Sequence, residues 1–258
     1  MSDQNPSQDG VYLSVVAPAH NEAENLPRLL DEVTAAAETI HRNWEMILVD
    51  DGSTDDTMQV AREQKKNRPC LRILSLPRRS GQTAALDAGL RHARGTFIAM
   101  LDADLQNDPA DIPRMLDTLL SEQCGLVNGW RASRRDPWLR LVSTRIANGV
   151  RNRLTNEQIH DSACGLKVFR RECIAGIRLY SGMHRFLPTL VRMEGFRVVE
   201  VPVNHRPRTA GKAKYGVLNR VFKATRDVLA VRWMQQRMLR YECQEWEAGH
   251  VEQTRNES

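Results

Sequence analysis

The hydrophobic pattern along the first part of the chain alternates short apolar runs with longer amphipathic segments. The runs that are predicted as strands cover residues 11–18, 45–50, 71–76, 96–102 and 124–129. The segments between them have helical spacing, as in the apolar face formed by Leu26, Leu29, Leu30, Val33 and Ala37. Strands so uniformly apolar are typical of a parallel sheet that is covered by helices on both faces. The pattern therefore predicts an α/β fold with a doubly wound, mostly parallel sheet and flanking helices.

Beyond residue 130 the alternation becomes irregular. Residues 161–170 and 195–205 are predicted as two further strands, and residues 183–194 as a helix. Two more segments, 138–154 and 217–240, place apolar residues on one stripe with arginines around it. A helix of this kind either packs on its own domain or lies in a membrane interface, and the pattern leaves both alternatives open.

Composition narrows the class of protein. The 258 residues are 41% hydrophobic and 27% charged, which suits a globular protein with an ample core. No run approaches the roughly 18 to 20 apolar residues that cross a bilayer, and the polar N-terminus lacks the apolar core of a signal peptide. We therefore expect a cytoplasmic location. The five cysteines show no CxxC spacing, so we expect reduced thiols and no zinc site.

The net charge of +5 is unevenly distributed. Between His205 and Arg240 the chain carries ten lysines and arginines, and Asp227 is the only acidic residue. An anionic partner is therefore expected, and charge alone leaves a phosphate, a membrane surface and a nucleic acid as alternatives.

Three polar clusters follow predicted strands: PAHNEAEN (18–25), DDGSTDD (50–56) and DADLQ (102–106). In an open α/β sheet the ligand crevice lies beyond the carboxyl ends of the strands, so these clusters should share one edge. Asn21, Ser53 or Thr54 could instead cap the helices that follow. The pair Asp102 and Asp104 is harder to explain as a cap, because residues i and i+2 of an extended segment point the same way and their carboxylates repel. Oxygen ligands of this kind favour Mg²⁺ or Mn²⁺.

The segments VVAPAHNEAENL, ILVDDGSTDDT, SGQTAALDAGL and MLDADLQNDP together resemble family 2 glycosyltransferases of the GT-A fold. SACGLKVFRR, GMHRFLPTLVR and VVEVPVNHRPRTAGKAKYG resemble the polyprenyl-phosphate branch, which includes dolichol-phosphate mannosyltransferase. The resemblance covers about residues 11 to 220. It implies an inverting enzyme that moves a hexose from GDP-mannose or UDP-glucose to a polyprenyl phosphate, with Mg²⁺ or Mn²⁺ as cofactor. The expected domains are a disordered tail (1–10), a GT-A catalytic domain (11–216), an amphipathic helix (217–242) and a polar tail (243–258).

The resemblance also implies site residues on the donor side. The nucleotide-sugar would be bound by Pro18, Asn21, Glu22, Asp50, Asp51, Gln82, Asp102 and Ala103, with Asp50 or Asp51 at the base or ribose. The metal would be bound by Asp102, Asp104 and Gln106, with Asp104 as the strongest candidate.

On the acceptor side, Arg131 would approach the sugar or phosphate, and Arg206, Lys212 and Lys214 match the basic loop that closes over the phosphates. His184 and Arg185 would help to place the acceptor phosphate, or would only start a helix. A phosphate monoester has a second pKa near 6, so it is already a dianion and direct displacement needs no general base. Asp161 is either a cap at a strand entry or an active-site residue.

The chain ends in a polar tail, where many relatives continue into transmembrane helices. We therefore expect it to bind peripherally at the inner face of the membrane, or to be anchored by a separate membrane subunit. Two alternatives remain: a family 2 enzyme with a saccharide or other hydroxyl acceptor, and a non-catalytic module that binds a nucleotide-sugar or nucleic acid. The carboxylate pair argues against the module, and we expect no nucleic-acid partner. The segment PAHNEAEN, which follows the first strand in place of a glycine-rich phosphate loop, argues against a dehydrogenase.

Overall fold

The structure is a computed structural model that describes residues 10–132, 149, 159–207, 217–239, 241 and 243, and in the last helix it describes side chains from Thr225 onward. The strands are β1 (Leu13–Ala19), β2 (Trp44–Asp50), β3 (Leu71–Ser75), β4 (Phe97–Met100), β5 (Leu126–Trp130), β6 (Lys167–Arg170) and β7 (Val198–Pro202). The α-helices are α1 (Leu26–Glu38), α2 (Thr57–Lys66), α3 (Gln82–His92), α4 (Asp111–Ser121), α5 (Leu187–Met193) and α6 (Val217–Arg237). Two short 3-10 helices cover Arg171–Ile174 and Met183–Phe186.

The strands form one sheet in the order β3-β2-β1-β4-β6-β5-β7. The first four strands in this order are parallel to one another, and β5 is parallel to β7. Strand β6 lies between β4 and β5 and is antiparallel to both. A mostly parallel sheet with flanking helices confirms the predicted fold class.

The strand predicted over residues 161–170 is shorter than expected, because only Lys167–Arg170 forms β6. Since β6 runs antiparallel to β4, Lys167 pairs with Met100 at the carboxyl end of β4. Residues 161–166 form turns at that edge of the sheet instead of extending the strand. Because β6 is antiparallel to β4, the polar segment 161–166 lies next to the loop that follows β4 and contains Asp102.

The core covers both faces of the sheet, as the uniformly apolar strands predict. Alternate residues of β1 divide between the two faces, with Val15 packing in the cluster that contains α1 and α4, and Val16 in the cluster that contains α3 and α5. Helix α3 approaches β1 closely at Gly89, where an added Cβ would lie 2.4 Å from Cγ1 of Val16. This close contact fixes the helix whose first turn reaches the functional edge.

The C-terminal amphipathic segment forms α6, and its described part packs on the domain through one face only. Val228 and Val231 are buried against Phe186 and Leu190, whereas Leu229 is 55% and Trp233 is 62% exposed. The other predicted amphipathic segment, 138–154, lies outside the described residues except for residue 149. No helix in the described ranges is both long enough and apolar enough to cross a membrane.

Candidate active site

The loops that follow β1 and β2 are joined by the side chain of Asn21. Its Oδ1 accepts a hydrogen bond from the backbone N–H of Thr54 at 2.8 Å, and its own N–H donates to Oγ of Ser53 at 3.0 Å. Asn21 has φ 59°, in the left-handed region that asparagine tolerates better than most residues. The capping alternative is wrong for these residues, because the N-cap residues of α1 and α2 are Asn25 and Asp56.

The two carboxylates at the end of β2 are buried and accept backbone hydrogen bonds. Asp50 and Asp51 are each 4% exposed. Asp50 accepts from the N–H of Ser53, and Asp51 accepts from those of Ser80 and Gly81, at 2.6 and 2.9 Å. Asp51 therefore fastens the loop before α3 to the end of β2, a role that sequence reasoning did not foresee. Their predicted contact with the base or ribose, like the donor-pocket roles of Pro18 and Glu22, stays a prediction.

The aspartates of the DADLQ turn lie directly after β4. Nε2 of Gln82, the first residue of α3, donates to Oδ1 of Asp102 at 2.7 Å, so the structure brings together two predicted donor-site residues. Oδ1 of Asp104 accepts from the N–H of Gln106 at 3.3 Å, and Ala103 is buried between the two aspartates. Burial and the charge of Asp104 raise the pKa of Asp102 to about 6.

This carboxylate pair fits a divalent cation. The raised pKa of Asp102 shows that burial and Asp104 together disfavour its charged form, and a hard cation would offset both effects. In the part of the chain that the structure describes, no cluster of three or more Asp, Glu, His or Cys side chains could hold a metal. The described residues would thus supply few ligands, and substrate and water oxygens would complete the coordination, as is usual for Mg²⁺.

Gly165 leaves room for the Asp102 carboxylate. A Cβ at this position would lie 2.3 Å from Oδ2 of Asp102 and 2.8 Å from Nδ2 of Asn107. We predict that Gly165→Ala displaces Asp102 and weakens metal-dependent nucleotide binding by about tenfold or more, since overpacking of this kind typically costs about 1–3 kcal/mol. Calorimetric titration with UDP and Mn²⁺ measures the effect. Gly176→Ala is the matched control, because its Cβ would meet only the flexible Glu194 carboxylate at 3.3 Å.

Arg131 does not lie free at the edge of the sheet. Its Nε and Nη2 donate to Asp161 at 2.6 and 2.8 Å, and the two side chains are only 12% and 6% exposed. The backbone carbonyl of Asp161 accepts from Asn128, and its N–H donates to Glu200. Asp161 is thus part of a buried polar network, and the guanidinium predicted to approach the substrate is held by that network.

Lys167 is a site residue that sequence reasoning missed. The side chain is 1% exposed, and its Nζ donates to the carbonyl oxygens of Ser162 at 3.3 Å and of Cys164. Burial lowers the pKa of Lys167, while the charges of Asp161 and Asp102 act in the opposite direction. The sequence could have indicated this residue, because it places a lysine in the otherwise apolar run LKVF. A lysine in a buried strand almost always has polar partners.

A cavity of about 130 Å³ opens beside Asp102, and Gln82, Lys167, His184 and Arg185 also line it. The structure therefore brings the predicted acceptor residues His184 and Arg185 next to the donor-side residues. A larger cleft of about 820 Å³, lined by residues such as Arg170, lies at the opposite edge of the sheet and contains none of the predicted site residues. We place the candidate site at the smaller cavity, because the Asp102 carboxylate and the side chains of Lys167 and Arg185 converge there.

The basic segment that follows β7 begins with Arg206, whose backbone contacts the DADLQ turn. The N–H of Arg206 donates to the carbonyl of Gln106 at 2.9 Å, and Nε2 of Gln106 lies 3.5 Å from the carbonyl of Arg206. The guanidinium of Arg206 contacts Glu32 at 2.6 Å and Asp108 at 2.9 Å. Lys212 and Lys214 lie outside the described residues, so their predicted role stays a prediction.

Comparison with known proteins agrees with this geometry. The model of the family "Glycosyl transferase family 2" matches residues 14–177. The chain is 41% identical over 231 residues to dodecaprenyl-phosphate galacturonate synthase of Rhizobium johnstonii, covering 88% of this chain and 68% of that protein. It is 35% identical over 209 residues to undecaprenyl-phosphate 4-deoxy-4-formamido-L-arabinose transferase of Edwardsiella ictaluri, covering 80% of this chain and 64% of that protein.

Solved structures share the fold. Glucosyl-3-phosphoglycerate synthase of Mycobacterium tuberculosis, in complex with Mn²⁺, uridine diphosphate and phosphoglyceric acid, superimposes with a TM-score of 0.65 at 22% identity. The match covers 90% of this chain and 80% of that one. At this identity the likeness concerns the architecture alone, and it supports a mostly parallel sheet of the same type.

Proposed function

The chain belongs to glycosyl transferase family 2, and from that membership we propose that it transfers a sugar, with inversion, from a nucleotide diphosphate-sugar to a polyprenyl phosphate. The observation that carries the proposal is the pair Asp102 and Asp104 at the end of β4, fastened to α3 by Gln82. Both curated relatives described above have names that specify a polyprenyl phosphate as the substrate.

On the donor side, Asp102 and Asp104 would hold Mg²⁺ or Mn²⁺. The bound cation would act as a Lewis acid that stabilises the departing diphosphate. Asn21, which joins the loops after β1 and β2, would keep the nucleotide pocket in shape. Gln82, whose amide touches Asp102, would orient that carboxylate toward the diphosphate.

On the acceptor side, the lipid phosphate requires positively charged side chains and does not require a general base. A phosphate dianion attacks the anomeric carbon directly, so its oxygen requires placement and charge compensation but no proton removal. Arg185 lines the cavity beside Asp102, and Arg206 starts the basic segment that carries Lys212 and Lys214. Arginine can hold a phosphate through a two-pronged contact, and lysine acts as a point charge.

The membrane location is also a proposal. Leu229 and Trp233 lie four residues apart on the exposed face of α6, and Arg226 and Arg237 are exposed on the same helix. An apolar ridge with arginines around it is suited to the interface of an anionic membrane. We propose that the protein works peripherally at the cytoplasmic face, where its lipid acceptor would be reached.

A donor panel tests the function. Purified protein is incubated with Mn²⁺ or Mg²⁺, a polyprenyl phosphate in detergent, and labelled GDP-mannose, UDP-glucose or UDP-galacturonate in turn. We expect label from one donor to enter the organic phase, and EDTA to abolish the transfer. Transfer only to a saccharide acceptor would contradict the proposal, as would transfer that EDTA leaves unchanged.

Lys212 offers a test of the acceptor side. We predict that Lys212→Ala raises the KM for polyprenyl phosphate about tenfold, since one charge-assisted hydrogen bond is worth roughly 1.5–3 kcal/mol, and that it leaves UDP binding unchanged. Initial rates over a range of acceptor concentrations measure the first effect and calorimetry the second. Lys66→Ala, which removes an exposed charge on α2, is the control. Equal loss of acceptor use and UDP binding would assign the basic loop to the donor.

A further inference from the structure

The segment Ser80–Thr83 touches three separate parts of the candidate site. The N–H groups of Ser80 and Gly81 bind Asp51, and the side chain of Gln82 binds Asp102. The hydroxyl of Thr83 lies 2.7 Å from Nδ1 of His184. One turn of chain thus links the end of β2, the end of β4 and the motif that carries His184.

The hydrogen bonds of the Thr83 hydroxyl determine which nitrogen of His184 carries the proton. The N–H of Gly182 donates to Oγ1 of Thr83 at 2.9 Å, so this oxygen already accepts one hydrogen bond. A hydroxyl has a single proton to donate, and within the described residues Nδ1 of His184 is the acceptor in reach. If Nδ1 carried a proton and donated it to the second lone pair of Oγ1, the Thr83 proton would have no acceptor among the described residues. The arrangement that satisfies both groups has Thr83 donating to an unprotonated Nδ1. A neutral imidazole in this state carries its proton on Nε2.

The surroundings of His184 keep the ring neutral. Burial and the neighbouring charges of Arg185 and Lys167 lower the pKa of His184 to about 3. On the packed elements, Asp102 accepts a hydrogen bond from Gln82 and Asp227 on α6 pairs with Arg185, so neither carboxylate forms an ion pair with the ring. Near neutral pH the ring is thus a hydrogen-bond donor through Nε2 without being a cation.

The side chain of His184 lies at the cavity beside Asp102. His184 lines this cavity together with Gln82, Asp102 and Arg185. In the described parts of the chain, no side chain or backbone group accepts a hydrogen bond from Nε2 of His184. An N–H is a pure donor, so its partner must be an acceptor atom of a ligand or of water. The cation of Arg185 on the same wall favours an anionic oxygen.

We propose that Thr83 is a positioning residue, which holds His184 as the neutral Nε2–H tautomer so that the ring donates a hydrogen bond to a phosphate oxygen of the substrate. This inference rests on the proposed function for the identity of that ligand. The phosphate oxygen belongs either to the donor diphosphate or to the lipid phosphate. A neutral donor has an advantage here, because an imidazolium beside Asp102 would compete with the divalent cation for that carboxylate.

The first test measures the tautomer without using activity. Protein labelled with ¹⁵N-histidine is compared with its His184→Gln variant, which identifies the ring signals of His184 in the two-bond ¹H–¹⁵N spectrum. We expect one protonated and one unprotonated ring nitrogen, with the proton on Nε2, in the wild type and in Thr83→Ser. Thr83→Val, which keeps the shape and removes the hydroxyl, should shift the ring toward a mixture of tautomers. A proton on Nδ1 in the wild type, or an unchanged spectrum in Thr83→Val, would overturn the proposal.

The second test locates the phosphate. Thr83→Val should lower turnover about tenfold, as expected for one misplaced hydrogen bond, and Thr83→Ser should restore it. A higher KM for polyprenyl phosphate with unchanged UDP binding assigns the contact to the lipid phosphate, and weaker UDP binding assigns it to the diphosphate.

Thr118→Val, on the exposed side of α4, is the control for loss of a helical threonine hydroxyl. Wild-type kinetics in Thr83→Val would overturn the positioning role even if the tautomer changed. If no donor in the panel supported transfer while the spectrum showed the proton of His184 on Nε2, the result would contradict the proposed function and leave the role of Thr83 in fixing the tautomer standing.

Discussion

Replacing Asp104 by asparagine is expected to lower turnover by about a thousandfold and to abolish the Mn²⁺ dependence of UDP binding. The substitution keeps the shape of the side chain and removes its charge. If the cation stabilises the charge that develops on the departing diphosphate, loss of a ligand removes several kcal/mol of that stabilisation. Turnover is measured with the donor that the panel identifies, and binding by calorimetry with UDP in the presence of Mn²⁺ or EDTA.

The matched control for this variant is Asp87→Asn on α3. Asp87 pairs with Arg91 one turn along the helix, and an exposed pair of this kind contributes little to stability. The control should therefore keep full turnover and full metal dependence. If Asp104→Asn still bound UDP more tightly with Mn²⁺ than with EDTA, the metal site would have to lie elsewhere, and the argument from the DADLQ turn would fail.

The sequence predicted those parts of the fold that depend on local pattern. Parallel strands that are buried on both faces are apolar throughout, so β1, β2 and β4 were recognisable from their residues alone. The position of Asp102 at the end of β4 followed from the same pattern, because the apolar run stops there. Placing the carboxylate pair at the edge of the sheet needed no knowledge of long-range contacts.

The parts that the sequence did not predict depend on pairings between distant residues. The reversed direction of β6 puts Lys167 beside Met100, and nothing in the run LKVF specifies direction. Thr83 looked like an ordinary residue in the first turn of α3, and its partner His184 lies about a hundred residues further along the chain. Polar networks of this kind are assembled by tertiary packing, so the pattern of a single sequence does not show which distant residues pair.

Arg131 is the residue whose contacts in the structure differ most from the role that was expected from the sequence. The family resemblance implied that Arg131 approaches the sugar or phosphate, whereas in the structure its guanidinium donates two hydrogen bonds to Asp161. We predict that Arg131→Met lowers the free energy of unfolding by about 3–5 kcal/mol, because it leaves the buried Asp161 carboxylate without its compensating charge. Urea unfolding followed by circular dichroism measures this change. Arg91→Met, which removes an exposed arginine, should leave the stability nearly unchanged.

The double variant separates the structural role of the pair from a substrate-binding role. Removing both partners, as in Arg131→Met with Asp161→Leu, should recover much of the stability, since replacing a whole buried ion pair by apolar side chains is often neutral or favourable. Turnover in the stable double variant then decides the function of Arg131. Near-normal turnover would mean that the pair serves only to hold the end of β5 against the turn at 161–166. A large loss of turnover in a stably folded variant would mean that Asp161 holds the guanidinium in place for the sugar or phosphate of the substrate, as the family resemblance implied.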